Sequence, residues 1–233
     1  MIFKQLFDKD SSTYTYIVSS GHGREALIID PVIGNTNEYL SILESLNLKL
    51  VKVIDTHIHA DHISGLKELN KRTNCATIMG ENSLSEVISI KVKDNEKIKI
   101  ENIVLTSMYT PGHTDCSYSF LMNDRIFTGD TLLINGTGRT DFQNGSPVDQ
   151  YHSLFECILK LPEKTLVYPA HDYKGNKVST IGQEKNNNPR LKVKSVDQYV
   201  EMMNNLNLPF PKMIDVAVPA NKKGLTLDQL NNK

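Results

Sequence analysis

The sequence predicts a mixed α/β domain, and three observations carry that expectation. Short runs with two-residue alternation, rich in β-branched and aromatic residues, have the period of half-buried strands; Thr13 to Ser19 and Ser117 to Met122 are examples. Between such runs lie stretches with apolar residues at helical spacing, first Leu40, Leu43, Leu46 and Leu48. The 233 residues, 39 % hydrophobic and 23 % charged, suffice for one α/β domain with an ordinary core.

Taken in order, Ile2 to Phe7 and Thr13 to Ser19 form a hairpin across the polar turn Asp8-Lys9-Asp10-Ser11. Glu25 to Asp30 is a third strand, stopped by Pro31, and Asn37 to Leu48 a helix. Val51 to Asp55 reads as a buried strand, followed by a covering helix from Asp61 to Arg72 with Leu66 and Leu69 toward a core. Ala76 to Met79 is a short strand. Glu81 to Ile100, rich in lysine and glutamate, has weak periodicity and reads as a surface helix and loop. Ile103 to Tyr109 is a strand, and Ser117 to Phe127 a hairpin turning at Asn123-Asp124. Val148 to Lys160 is helical, with Leu154, Phe155, Ile158 and Leu161 as its apolar stripe. Ser179 to Asn187 and Ser195 to Leu206 are helices parted by Asn188-Pro189-Arg190. Residues 209–233, with three prolines and little periodicity, are expected as an extended tail over the single domain 1–233. The segments Ile2 to Asp30 and Ala76 to Asp130, each followed by a helix, suggest two similar halves.

Charge and cysteine usage narrow the function classes. With 26 basic and 27 acidic residues the formal net charge is −1, so no whole-protein attraction for nucleic acid or a membrane surface exists. No window approaches the ~18 apolar residues of a membrane span. Met1 to Asp8 has neither a signal-peptide core nor the arginine content of a transit peptide. Cys75, Cys116 and Cys157 are odd in number and widely spaced, which fits a reducing compartment. A cytoplasmic location is expected, and a homodimer is compatible with it.

The chemistry is concentrated in Thr56-His57-Ile58-His59-Ala60-Asp61-His62, at the end of a strand and before a helix. Side chains two apart in an extended segment point the same way, so His57 and His59 can share a target. Asp61 and His62 open the turn beyond. A lone histidine ordinarily lies on the solvated surface, and His22, in a glycine turn, and His152, beside a helix stripe, are read so. Four ligand-type side chains packed this tightly point to a metal.

The pattern H-x-H-x-D-H after a strand resembles the metallo-β-lactamase superfamily, where further ligands come from later strand ends. This chain supplies them in Thr110-Pro111-Gly112-His113-Thr114, Thr128-Gly129-Asp130-Thr131 and Tyr168-Pro169-Ala170-His171-Asp172. The resemblance implies an αββα four-layer sandwich with the metal at one edge. Two sites can be built from these residues. His57, His59, His113, Asp61, His62 and His171, bridged by Asp130, would hold two metals and generate hydroxide for hydrolysis. His57, His113 and Asp130 alone would make the facial triad of non-haem iron(II) oxygenases. Spacing leaves both open.

A closer resemblance is to the persulfide dioxygenases. It rests on Phe127 to Ile134, Gly138-Arg139-Thr140-Asp141-Phe142-Gln143, Tyr168 to Tyr173, Asn188-Pro189-Arg190-Leu191 and Asp215 to Asn221, and covers nearly the whole chain. It implies one iron(II) per chain on His57, His113 and Asp130, oxidising glutathione persulfide with O2 to sulfite and glutathione. His59, Asp61, His62 and His171 would then orient ligands or hold water, or in the alternative complete a second metal site. Arg139, Tyr173 and Arg190 match residues that hold the glutathione part. For Arg139, pairing with Asp141 to fix its own loop is the competing reading. Thr137 and Ile58 stand where some relatives carry cysteine, so any role of those thiols is absent. No rhodanese-like partner domain fits in the remaining length. The runner-up is a glyoxalase II-like hydrolase of glutathione thioesters with two zinc or mixed metals. A non-catalytic scaffold on the same fold would be expected to lose ligands, and this chain retains them all.

Overall fold

The alternation at the amino terminus becomes a long hairpin. In the computed structural model, which describes residues 1–231, β1 (Ile2–Asp8) pairs antiparallel with β2 (Thr13–Ser19) in the register Ile2 to Ser19 through Asp8 to Thr13. Next to β2 comes β3 (Glu25–Ile29), antiparallel to it. Then β4 (Lys49–Ile54), β5 (Ala76–Gly80) and β6 (Ile90–Val92) are added in parallel, giving the sheet order β1-β2-β3-β4-β5-β6. A second six-stranded sheet holds the antiparallel run β7 (Lys97–Ile100), β8 (Ile103–Tyr109), β9 (Tyr118–Leu121) and β10 (Arg125–Gly129). A short hairpin of β11 (Leu132–Leu133) and β12 (Gly136–Thr137) stands apart. The second sheet is completed by β13 (Leu166–Pro169), parallel to β10, and by β14 (Ser179–Thr180) at its edge.

Period-two patterning sorts the strands into layers. Tyr16, Val18, Leu27 and Ile29 face inward and meet Leu105, Phe120, Phe127 and Tyr168 of the other sheet. Each such fully buried side chain contributes roughly 1.5–3 kcal/mol of transfer free energy. The alternate residues Ile17, Ala26, Ile28 and Val53 face α1 (Thr36–Ser45) and α2 (Leu66–Thr73) through Tyr39, Leu43, Leu66 and Leu69. On the outer face of the second sheet, Ile126 and Val167 pack under Leu154, Ile158, Ile181 and Tyr199. These come from the segment begun by α3 (Pro147–His152), and from α4 (Ile181–Asn187) and α5 (Val196–Asn204). The result is the αββα sandwich of the metallo-β-lactamase fold, in a single domain. No helix among the described residues is long and apolar enough to cross a membrane.

Five expectations are corrected. Residues 81–100 supply β6 and β7 instead of a helix; Ile98 and Ile100 are buried while Lys97 and Lys99 are exposed, an edge strand guarded by lysine. The strand at Ala76 belongs to the first sheet, so the two halves divide later than the sequence suggests. Helix α2 starts at Leu66, because residues 61–65 are committed to the loop before it. The helix begun by α3 changes to a π turn over Ser153–Cys157 and a 3-10 turn over Ile158–Lys160. The tail is not extended: it forms α6 (Ile214–Lys223) and α7 (Leu227–Asn231), while residues 232–233 lie outside the described residues. Its buried stripe is made of small residues, Ala217 and Ala220, which carry little hydrophobic signal, and Pro219 inside α6 masks the pattern further.

Candidate metal centre

Each ligand-type residue sits where a strand runs out. His57 follows β4, His113 lies between β8 and β9, Asp130 follows β10 and His171 follows β13. His57 Nε2 and His113 Nε2 lie 3.9 Å and 3.5 Å from Asp130 Oδ2, and the three ligand atoms fall within 4.8 Å of one another. The ring protons are placed by neighbours. His113 Nδ1 donates to the Arg139 carbonyl at 2.7 Å, so its Nε2 carries a free lone pair. The Thr56 hydroxyl donates to Asp30 Oδ2, so its oxygen is left to accept from His57 Nδ1 at 3.0 Å, which frees Nε2 there too. Two imidazole nitrogens and one carboxylate oxygen facing one point are a donor set that fits a divalent transition metal.

A second group, His59, Asp61 and His62, adjoins the first. Asp61 Oδ2 accepts from His62 Nδ1 at 2.8 Å and from His171 Nε2 at 2.7 Å, with Thr13 Oγ1 at 3.2 Å. The other nitrogen of His171, Nδ1, donates to Asp130 Oδ1 at 2.6 Å. His171 therefore spans two carboxylates. Burial works against its charged form, but Asp130 and Asp61 outweigh burial and hold it well above the usual histidine range. Burial likewise opposes ionisation of Asp130, and His171 reverses this, so the carboxylate stays charged. Burial, with the nearby His59 and His113, keeps His57 neutral and ready to donate its lone pair. His59 Nδ1 and His62 Nε2 are buried and have no hydrogen-bond partner among the described residues.

Close packing against Thr56, Asp130 and His113 excludes a Cβ at Gly129 and Gly138. Gly129 has φ +52°, and a Cβ there would meet Thr56 Oγ1 at 2.7 Å. A Cβ on Gly138 would lie 2.2 Å from the Asp130 carbonyl and 2.8 Å from His113 Nδ1.

Sequence reasoning missed Asp30, Thr13 and Asn221. Asp30, in the left-handed region at the end of β3, accepts from the Thr56 amide at 2.7 Å and from His59 Nε2 at 3.2 Å. Its only sequence signal is a carboxylate directly after an apolar run. Burial opposes a charge on His59, but Asp30, Asp55 and Asp61 raise it to about 9. Asp55, fully enclosed beside them, is pushed by burial to about 7.

The residues expected to hold substrate are differently engaged. Arg139 makes a two-pronged pair with Asp141 at 2.6 and 2.7 Å, donates to the Pro209 carbonyl at 2.7 Å, and lies 4.6 Å from the Phe142 ring centre. This is the competing arrangement weighed from the sequence. Arg190 donates to the carbonyl and hydroxyl of Thr137. Tyr173 is 71 % exposed, its ring parallel to that of His171 with centroids 6.1 Å apart.

Known proteins resemble this chain over most of its length. The family model described as the metallo-beta-lactamase superfamily matches residues 8–97 and 87–171. The mouse (Mus musculus) protein named persulfide dioxygenase ETHE1, mitochondrial, is 40 % identical over 226 residues, covering 96 % of this chain and 88 % of that protein. The crystal structure of ETHE1 from Myxococcus xanthus superposes with a TM-score of 0.93 at 46 % identity, over 95 % of this chain and 98 % of that one. Hydroxyacylglutathione hydrolase of Dictyostelium discoideum is 33 % identical over 178 residues, 72 % of this chain and 64 % of its own length.

Proposed function

Since the chain belongs to the metallo-beta-lactamase superfamily and, within it, to the persulfide dioxygenases, we propose that it is an iron(II) enzyme acting on glutathione persulfide. Persulfide, dioxygen and one water yield glutathione, sulfite and two protons. One observation carries the single-metal form of the site. His171 spends both ring nitrogens on Asp130 and Asp61, which leaves His57, His113 and Asp130 Oδ2 as one self-contained donor group.

Bound there, iron(II) would supply the redox chemistry that joins dioxygen to the terminal sulfur, with coordination positions left open by a three-residue donor set. The residues around it do the rest. The Arg139 carbonyl holds the His113 tautomer, and His171 occupies Asp130 Oδ1 so that Oδ2 is the oxygen facing the histidines. The burial of His57 keeps its ring unprotonated. For the substrate's carboxylates we assign Arg139, Arg190 and Tyr173. Asp141 already shows that the Arg139 fork accepts a carboxylate through two parallel bonds, so a substrate carboxylate would take its place. A cytoplasmic location is part of the same reading, supported by three free cysteines.

The second reading, a two-metal thioester hydrolase, is favoured by the unpartnered His59 Nδ1 and His62 Nε2 and by the likeness to hydroxyacylglutathione hydrolase. One experiment separates them: metal content per chain of anaerobically prepared protein, measured with oxygen uptake on glutathione persulfide. About one iron per chain with oxygen consumption is expected. Two tightly held zinc ions, thioester hydrolysis and no oxygen uptake would overturn the dioxygenase reading.

A further inference from the structure

The loop that carries His57 to His62 has no regular structure, so its buried backbone groups need partners from elsewhere. One side chain meets much of that need. Asn221, on α6, donates from Nδ2 to the carbonyls of His59 and His62, both at 2.9 Å. Its Oδ1 accepts from the Ser64 amide at 2.8 Å. An amide offers two donor hydrogens and one acceptor oxygen, and all are used here. Only an amide side chain in this orientation meets the three requirements.

The two carbonyls bracket Asp61. That carboxylate holds His171 Nε2, and His171 Nδ1 in turn holds Asp130 Oδ1. We propose that Asn221 is a positioning residue of the metal centre: by fixing the His59–Ala60 and His62–Ile63 peptides, which flank the short segment holding Asp61, it sets, through Asp61 and His171, the direction of the Asp130 ligand. The carboxy-terminal helix is thereby part of the site. It is seated for this task by bonds at the same turn: Ser85 Oγ donates to the Asn221 carbonyl at 3.0 Å, and the Glu86 amide to that of Lys222 at 2.8 Å. Ala217 and Ala220 let the helix approach closely. The inference rests on the metal-centre reading but not on the dioxygenase reaction.

The test compares Asn221→Ala and Asn221→Asp with Ser85→Ala. Asn221→Asp keeps the shape and the acceptor for Ser64 but loses both donors, and it carries the test should the alanine variant not fold. Ser85→Ala loosens the same helix turn without touching the loop. The readouts are the dissociation constant for ferrous iron, by competition with a chelator, and the electron paramagnetic resonance spectrum of the ferrous site with nitric oxide. Losing a group that orients a ligand typically weakens metal binding about 10–100-fold. Both Asn221 variants should show a loss in that range and an altered spectrum, while Ser85→Ala lowers the melting temperature alone. Unchanged affinity and spectrum in Asn221→Asp, or an equal loss in Ser85→Ala, would overturn the proposal. Zinc titrated in the same way gives the affinity comparison even if the iron reading fails.

Discussion

At the scale of single residues, Asp130 and Asp61 are both carboxylates on His171, yet they are not equivalent. Asp130 Oδ2 faces His57 and His113, whereas Asp61 faces His62, His171 and Thr13. Asp130→Ala should abolish iron retention, because it removes the only carboxylate of the donor group. Asp61→Ala and His171→Ala should weaken iron binding about 10–100-fold, at least as much as the Asn221 variants that act through them, without abolishing it, and should lower the rate. Metal analysis with turnover on the three variants checks this; equal metal loss in all three would favour two metals. Arg139 yields a second expectation. Loss of a charge-assisted hydrogen bond costs ~1.5–3 kcal/mol, roughly 10- to 150-fold. Arg139→Ala and Arg190→Ala should therefore raise KM for glutathione persulfide with iron content unchanged. Since Asp141 occupies the Arg139 fork, Asp141→Asn should lower KM. Steady-state oxygen uptake measures all three, and a wild-type KM in both arginine variants would remove them from the substrate site.

At the scale of elements, the site depends on how strand ends meet. The end of β10 brings Gly129 against Thr56, the residue that links Asp30 to His57. Gly129→Ala adds a Cβ at 2.7 Å from Thr56 Oγ1 on a backbone with φ +52°. Strain of this kind costs about 1–3 kcal/mol, and the displaced Thr56 would release the His57 tautomer. Lower thermal stability together with weaker iron binding is expected. Unaltered iron affinity in the folded variant would show that Thr56 does not fix His57. The edge strands β6 and β7 and the helix α6 are the elements least legible in the sequence. Their buried apolar contributions are a single valine in β6, two isoleucines among lysines in β7, or alanines beside a proline in α6, too sparse for periodicity to register.

At the scale of the whole molecule, two sheets and their helices enclose ionisable groups at the edge of the core. Asp55 is such a group: burial raises it to about 7, the charge of Asp30 adds to this, and His59 opposes it. The folded chain thus binds a proton at Asp55 more tightly than the unfolded chain, whose carboxyl titrates near 3.9. Stability falls as pH rises from about 4 to about 7, because the unfolded state releases that proton first. In the metal-free protein, Asp55→Asn should raise the melting temperature at pH 8 more than at pH 4. A shift of equal size at both pH values would show that Asp55 is not held protonated.

By itself the sequence determined the hairpin of β1 and β2 and singled out, as candidate metal ligands, the histidine-rich loop from His57 to His62 and the later His113, Asp130 and His171 motifs. These are local signals: alternation over seven residues, or ligand side chains within a few positions of one another. The family resemblance added the sandwich, a metal-binding site and membership of the persulfide dioxygenases, in agreement with the fold and the relatives. Only the tertiary structure decided how the ligands are held. Asn221 is 159 residues from His62, Asp130 41 from His171, and Thr13 48 from Asp61. Arg139 meets Asp141 two positions away and Pro209 seventy away, and no spacing rule chooses between that pair and a substrate carboxylate. Contacts across such separations depend on which strand ends the sandwich brings to one edge, and that is a property of packing.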